Sequence, residues 1–181
     1  MSAEGPKSIK LLAMDVDGVL TRGDVIFSDD GEEIKVFNIQ DGLGIAVAKH
    51  GGLATAIISG RASSAVQRRA TELGVTYVRQ GCRDKGAAIR ELLEETGLKR
   101  NEIAFIGDDI NDLLAFSECS WKVATANACK DIKAHADHMT ERSGGDGAVR
   151  EVIELILETQ GKWKTAVEEY LHHLEQSGCQ T

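Results

Sequence analysis

Ile9-Lys10-Leu11-Leu12-Ala13-Met14-Asp15-Val16-Asp17-Gly18-Val19-Leu20-Thr21 is the stretch around which the rest of the chain is organised. An apolar run too short for a helix leads into two aspartates one residue apart, then a glycine. Such a run reads as a buried strand. The carboxylates at its end repel each other, so the pattern asks for a cation between them. A hard divalent ion with oxygen ligands meets that need, Mg²⁺ being usual where phosphate is handled. An acidic surface turn closing a strand is the plainer alternative, and the rest of the chain decides against it.

The bulk properties narrow the classes. A chain of 181 residues suits one domain with a full core and leaves little for a second. Hydrophobic residues make up 42% and charged residues 28%, an ordinary balance for a soluble globular protein. The formal net charge of −8 argues against nucleic acid or an anionic membrane as partner. No apolar run approaches the roughly 18 residues of a membrane span. The segment Met1–Ser8 is too short and polar for a signal-peptide core. Cys82, Cys119, Cys129 and Cys179 form no CxxC pair and no zinc spacing, and read as free thiols of a reducing cytoplasm. Pro6 is the single proline, so no proline-rich linker divides the chain.

Asp30-Gly31 lies between two β-prone runs and predicts a hairpin over 24–37, projecting over the acidic strand end as a flap or subunit contact. Helices are expected over 41–51, over 62–73 with Gly74 as a left-handed stop, and over 84–96. Buried strands are expected over 53–58, 76–78 and 103–106, with further short strands and helices as far as Val149. This alternation implies an α/β fold with a parallel sheet and helices on both faces. The loop Ser143-Gly144-Gly145-Asp146-Gly147 opens a helix carrying Val149, Val152, Ile153 and Ile156. It reads as a flexible loop with Asp146 as N-cap in preference to an anion site. The tail over 162–181 aligns Trp163, Ala166, Val167, Tyr170, Leu171 and Leu174 in one stripe, to pack on its own domain or join subunits. His172 and His173 are adjacent and face different sides, which disfavours a metal role.

In doubly wound sheets, ligands sit beyond the carboxyl ends of the strands. Those ends here carry Asp15 with Asp17, Ser59 with Gly60, Lys85, and the run Gly107-Asp108-Asp109-Ile110-Asn111-Asp112. Carboxylates, a hydroxyl and a lysine in one crevice are what phosphoryl transfer through an aspartyl phosphate requires. One carboxylate attacks phosphorus. A second, two residues on, protonates the leaving oxygen and then deprotonates water. A cation offsets the repulsion between carboxylate and phosphate, while lysine and hydroxyl hold the remaining oxygens. Uncatalysed monoester hydrolysis needs acceleration by up to about 10²¹-fold, so a sparser site would not suffice.

With Asp15-Val16-Asp17-Gly18-Val19-Leu20-Thr21, Ser59, Lys85 and Gly107–Asp112 in this order, the chain resembles the haloacid dehalogenase superfamily of phosphatases. The resemblance implies Asp15 as nucleophile and Asp17 as general acid/base. It implies Mg²⁺ on the Asp15 carboxylate, the Asp17 backbone carbonyl and the Asp108 carboxylate. Ser59, Gly60 and Lys85 would hold the phosphoryl group, with Asp109 and Asp112 orienting Lys85 or metal-bound water. Asp17 also separates the chain from the dehalogenases of the superfamily, which lack a second aspartate there.

Phe37-Asn38-Ile39-Gln40-Asp41-Gly42-Leu43-Gly44-Ile45, Ile57–Arg61, Gln80-Gly81-Cys82-Arg83-Asp84-Lys85 and Gly144–Glu151 look like the 3-deoxy-D-manno-octulosonate 8-phosphate phosphatases. That likeness covers nearly the whole chain. It implies a single-domain (1–181) cytoplasmic enzyme of lipopolysaccharide biosynthesis, with a three-layer Rossmann-like sheet and no cap. It also implies a homotetramer in which a neighbour's hairpin closes each site, and a substrate carrying both carboxylate and phosphate. Asn38, Gln40, Asp41 and Gly42 are then expected around the sugar. Arg61 and Arg69, eight residues apart on roughly one side of the helix after Ser59, are expected to meet the substrate carboxylate.

The chain departs from that family in three places. Arginines are frequent where it has Gln40, Ala46 and Asp146, which reduces the positive charge around the pocket. A related group acting on nine-carbon sialic-type sugar 9-phosphates carries glutamate just after the serine motif, so Arg61 favours the eight-carbon acid. The reading from another class, a receiver-type phospho-aspartate signalling module, places its phosphorylated aspartate on a middle strand after the acidic pair. Here the strand-end aspartates come first and a second acidic cluster follows Lys85.

Overall fold

The computed structural model describes residues 5–177, so Cys179 and the end of the expected tail lie outside the described residues. In chain order the elements are β1 (Leu11–Met14), β2 (Ile26–Phe27), β3 (Glu33–Ile34), α1 (Ile39–His50), β4 (Ala54–Ile58), α2 (Ser64–Leu73) and β5 (Tyr77–Arg79). There follow α3 (Lys85–Thr96), β6 (Ile103–Gly107), α4 (Leu113–Phe116), β7 (Trp121–Ala124), α5 (Lys130–His135), β8 (His138–Met139), α6 (Ala148–Thr159) and α7 (Trp163–Ser177). Six strands form one parallel sheet in the order β5-β4-β1-β6-β7-β8.

All four residues of β1 are buried, and side-chain alternation divides them between two cores. Leu12 and Met14 join Ile45, Val66, Ala70, Val152 and Ile156 under α1, α2 and α6, with α7 behind. Leu11 and Ala13 join Ile89, Leu92, Phe116 and Ile132 under α3, α4 and α5. The result is three layers, as strands buried on both faces demand. From β1 the chain builds outward through β4 and β5, then returns to lay β6 on the other side of β1. The carboxyl ends of β1 and β6 therefore flank the point where strand order reverses, which is where a crevice opens.

The hairpin pairs only Ile26 with Ile34 and Phe27 with Glu33. Asp30-Gly31 does not form the two-residue turn its sequence suggests. That turn needs positive φ at both residues, and only Gly31 has it, at +80°. Instead Gly31 N donates to Ser28 O and Ser28 N to Glu32 O, each at 2.9 Å. This is the three-residue loop closed by a left-handed glycine bulge.

The start of α6 also corrects an expectation. Its N-cap is Gly147 and not Asp146. The free N–H groups are taken by Asp41 of α1: Gly147 N donates to Oδ2 at 3.2 Å and Arg150 N to Oδ1 at 2.8 Å. Burial raises the Asp41 pKa, and the α6 N–H donors pull it partly back. The carboxylate thus occupies the helix terminus that an anion would otherwise use. Asp41→Ala is expected to lower unfolding free energy by about 1–3 kcal/mol. Urea unfolding checks this, and an unchanged midpoint would contradict the capping role.

Helix α7 packs four of the six residues of its stripe. Ala166 is buried, Trp163, Val167 and Tyr170 pack on the core, and Arg150 lies 5.0 Å over the Trp163 ring. Leu171 and Leu174 stay exposed. The His173 ring meets that of His50 while His172 meets Gln176, so the two histidines diverge. No helix among the described residues is long and apolar enough to cross a membrane.

Candidate active site

Asp15 follows β1 directly and is pinned against β6, its N–H donating to Ile106 O at 3.1 Å. Asp84 caps α3 by accepting from Ala87 N, which places Lys85 in the first turn with its ammonium under Asp15. Lys85 Nζ lies 2.8 Å from Asp15 Oδ2 and 2.5 Å from Asp112 Oδ1. Asp112 is held from behind: its Oδ2 accepts from Asp108 N at 2.9 Å and Asp109 N at 3.4 Å. Asp108 follows β6 and reaches the same point because Gly18, at φ +88°, leaves no Cβ to overlap its carboxylate. Ser59 follows β4 directly and accepts from Arg61 N at 3.2 Å. Asp15, Asp17, Ser59, Gly60, Arg61, Asp108 and Asp109 line a cavity of about 300 Å³, large enough for a small ligand.

The charges in this cavity are not balanced by the protein alone. Oxygens of Asp15, Asp108 and Asp112 lie within 4.8 Å of one another. Burial and then Asp112 raise the Asp15 pKa to about 6, with Lys85 pulling the other way. Burial, Asp112, Asp15 and Asp109 raise Asp108 to about 7. Burial disfavours the Lys85 ammonium, but Asp15 and Asp112 outweigh it and raise its pKa. Asp112 has both oxygens engaged, so Asp15 and Asp108 are the carboxylates left for a cation. Hard oxygen donors this close, and this strongly opposed, fit Mg²⁺.

The raised values give a signed pH dependence. Between about pH 4 and 7 the folded chain holds more protons on these carboxylates than the unfolded chain, so metal-free stability falls as pH rises there. A cation competes with the same protons. Mg²⁺ affinity is therefore expected to drop about tenfold between roughly pH 7.5 and pH 6. Its increment in melting temperature should shrink in parallel. An increment that does not change with pH would contradict the carboxylate site.

The residues expected around the sugar divide. Arg61 faces the cavity, but it precedes α2, so the argument from helix spacing does not join it to Arg69. Arg69 instead lies over Gly42 beside a separate, nearly filled space of about 10 Å³, lined also by Asn38 and Asp41. Asn38 caps α1, accepting from Gln40 N at 2.7 Å and donating to Gly145 O at 3.4 Å. Gln40 accepts from Arg142 Nη1 at 2.6 Å. Within one chain, these four residues and Arg69 hold α1 to its neighbours and do not line the catalytic cavity. Asp109 caps the turn Ile110–Asp112 by accepting from Ile110 N at 2.7 Å, while Asp112 is the aspartate that holds Lys85.

Two charged residues beside the cavity were not foreseen. Lys35 Nζ lies 2.5 Å from Asp17 Oδ1, and Glu33 pairs with both Lys35 and Arg61. Their signal is the alternation Glu33-Ile34-Lys35-Val36, which puts both charges on one side of an extended chain and both apolar residues on the other.

A family profile for haloacid dehalogenase-like hydrolases matches residues 77–153. The chain is 40% identical over 156 residues to the 3-deoxy-D-manno-octulosonate 8-phosphate phosphatase KdsC of Escherichia coli strain K12, covering 86% of this chain and 83% of that protein. It is similar to the crystal structure of such a phosphatase from Moraxella catarrhalis in complex with magnesium ion, phosphate ion and KDO. The TM-score is 0.87 at 43% identity, over 91% of this chain and 95% of that one. The cobalt-bound form of the Haemophilus influenzae phosphatase gives a TM-score of 0.85 at 38% identity, over 88% and 94% of the two chains.

Proposed function

The chain belongs to the 3-deoxy-D-manno-octulosonate 8-phosphate phosphatases of the haloacid dehalogenase-like hydrolases, and from that premise we propose that it hydrolyses this sugar-acid phosphate to the free acid and phosphate. The observation that carries the chemistry is the buried Asp15–Lys85–Asp112 chain of ion pairs with Asp108 beside it, of which Asp15 and Asp108 line the cavity. The receiver-type alternative has no support from these relatives.

In this reading the Asp15 carboxylate attacks phosphorus as the bond to the sugar oxygen breaks, and Asp17 gives its proton to that oxygen. Asp17 then takes a proton from the water that cleaves the acyl phosphate, returning Asp15 to the carboxylate. Lys85 and Ser59 hold phosphoryl oxygens, with Gly60 leaving room beside them. Mg²⁺, held by Asp15, Asp108 and the Asp17 carbonyl, supplies the positive charge that lets an anionic phosphate approach an anionic nucleophile. Arg61 is the group for the substrate carboxylate, which would take the place Glu33 holds in this structure.

A homotetramer belongs to the same proposal. Its support is the hairpin, whose Val25, Ile26, Phe27, Ile34 and Val36 are between 42% and 66% exposed, a patch that calls for a partner surface. A cytoplasmic setting suits the unpaired thiols Cys82, Cys119 and Cys129. The deciding experiment measures phosphate release from eight-carbon and nine-carbon sugar-acid phosphates and plain hexose phosphates, with Mg²⁺ and with EDTA. Preference for the eight-carbon acid, lost in EDTA, is expected. Equal weak activity on hexose phosphates would overturn the substrate assignment.

A further inference from the structure

We infer that Lys35, carried by the hairpin of the same chain, positions the Asp17 carboxylate for proton transfer to the leaving oxygen. This rests on the reading of Asp17 as general acid, and adds to it the group that orients the acid. Three observations carry it. Lys35 is 2% exposed at its side chain, although the hairpin residues around it, Ile34 and Val36, are open to solvent. Its Nζ reaches Asp17 Oδ1 at 2.5 Å and Glu33 Oε1 at 3.4 Å, and Glu33 also holds Arg61 at the cavity wall. The Asp17 carboxylate stands outside the group formed by Asp15, Asp108 and Asp112.

An aspartate two residues from a cation site has two competing fates. Its side chain can turn to the cation and become a ligand, or turn to solvent. Either takes its oxygen away from the departing alkoxide. An ammonium that grips Oδ1 from the hairpin side prevents both and leaves Oδ2 to carry the proton. Lysine suits this because it offers three donors from one point charge, enough for Asp17 and Glu33 together. The hairpin then does more than cover the cavity, since the residue that follows β3 presents the group that sets the acid.

The test is leaving-group dependence, which a merely structural role would not move. Kinetics use the full-length Mg²⁺-loaded enzyme with three substrates: the eight-carbon sugar-acid phosphate, glycerol 3-phosphate and 4-nitrophenyl phosphate. The value of kcat/KM reports only steps up to departure of the leaving group, so hydrolysis of the acyl phosphate does not enter. An alkoxide must be protonated as it leaves, whereas nitrophenolate need not be. Lys35→Met is expected to lower kcat/KM about 10–100-fold on both alkyl esters and less than about threefold on the aryl ester, part of the ~10²–10⁴-fold a general acid supplies. Lys35→Arg, which keeps charge and donors, should recover part of the loss. Equal loss on all three substrates would overturn the inference, as would loss confined to the carboxylate-bearing one, which would mark Lys35 as a substrate contact. Asp17→Asn is run alongside. If it lacks the alkyl-to-aryl split, the assignment of the acid itself fails, separately from the role of Lys35. Should Lys35→Met not fold, Lys35→Gln and Lys35→Arg carry the same comparison.

Discussion

Asp15→Asn is expected to lower kcat by at least about 10⁵-fold, the scale seen when an enzyme loses its attacking group. The amide has nearly the shape of the carboxylate but does not attack phosphorus. Stability should not fall with activity. Burial and the neighbouring Asp112 already oppose ionisation of Asp15, so removing that charge relieves repulsion while Lys85 keeps Asp112 at 2.5 Å. A melting temperature equal to or above wild type, measured without metal, is the companion result. Activity within tenfold of wild type would end the assignment of Asp15 as nucleophile.

Lys85→Met should give the largest loss of stability. The lysine is 1% exposed and Asp112 0%, and Asp15 completes the group with the ammonium between them. Removing one partner of a buried ion pair costs about 3–5 kcal/mol, because a charge is left uncompensated. Here two carboxylates lose the same cation, while methionine keeps most of the volume. Mg²⁺ should restore part of the loss, since it places positive charge beside Asp15 again. Urea unfolding with and without Mg²⁺ measures both effects. Turnover should fall too, as phosphoryl oxygens lose a donor. A variant as stable as wild type without metal would contradict the electrostatic account of the site.

Much of the fold was legible because its signals are local. The run Leu11–Met14 and the later short apolar runs alternate with helical segments, and only a parallel sheet covered on both faces uses that pattern. That these polar side chains meet in one crevice was legible for a related reason. Asp15, Ser59, Lys85 and Asp108 each stand at the carboxyl end of a strand or just beyond it, and the topology brings those ends together.

Other features were not legible, each because its surroundings in the fold decide what it does. Asp41 looked free for a ligand until α6, 106 positions away, presented its unpaired N–H groups. Arg61 and Arg69 were joined by helical spacing, but α2 begins only at Ser64. Asp30-Gly31 marks the hairpin but not its turn, because the dipeptide fits a bulged three-residue loop as well as a two-residue turn. Lys35 belongs to no motif that marks it in the sequence. Its significance comes from its reach to Asp17, which no spacing rule encodes.

The central claim is that phosphate passes through Asp15. The most direct test mixes enzyme, Mg²⁺ and ³²P-labelled eight-carbon sugar-acid phosphate, quenches in acid within milliseconds, and maps label onto proteolytic peptides. The account predicts base-labile label on the peptide containing Asp15, absent with EDTA and absent from Asp15→Asn. Phosphate release at full rate with no label on that peptide, or label on another residue, would contradict it.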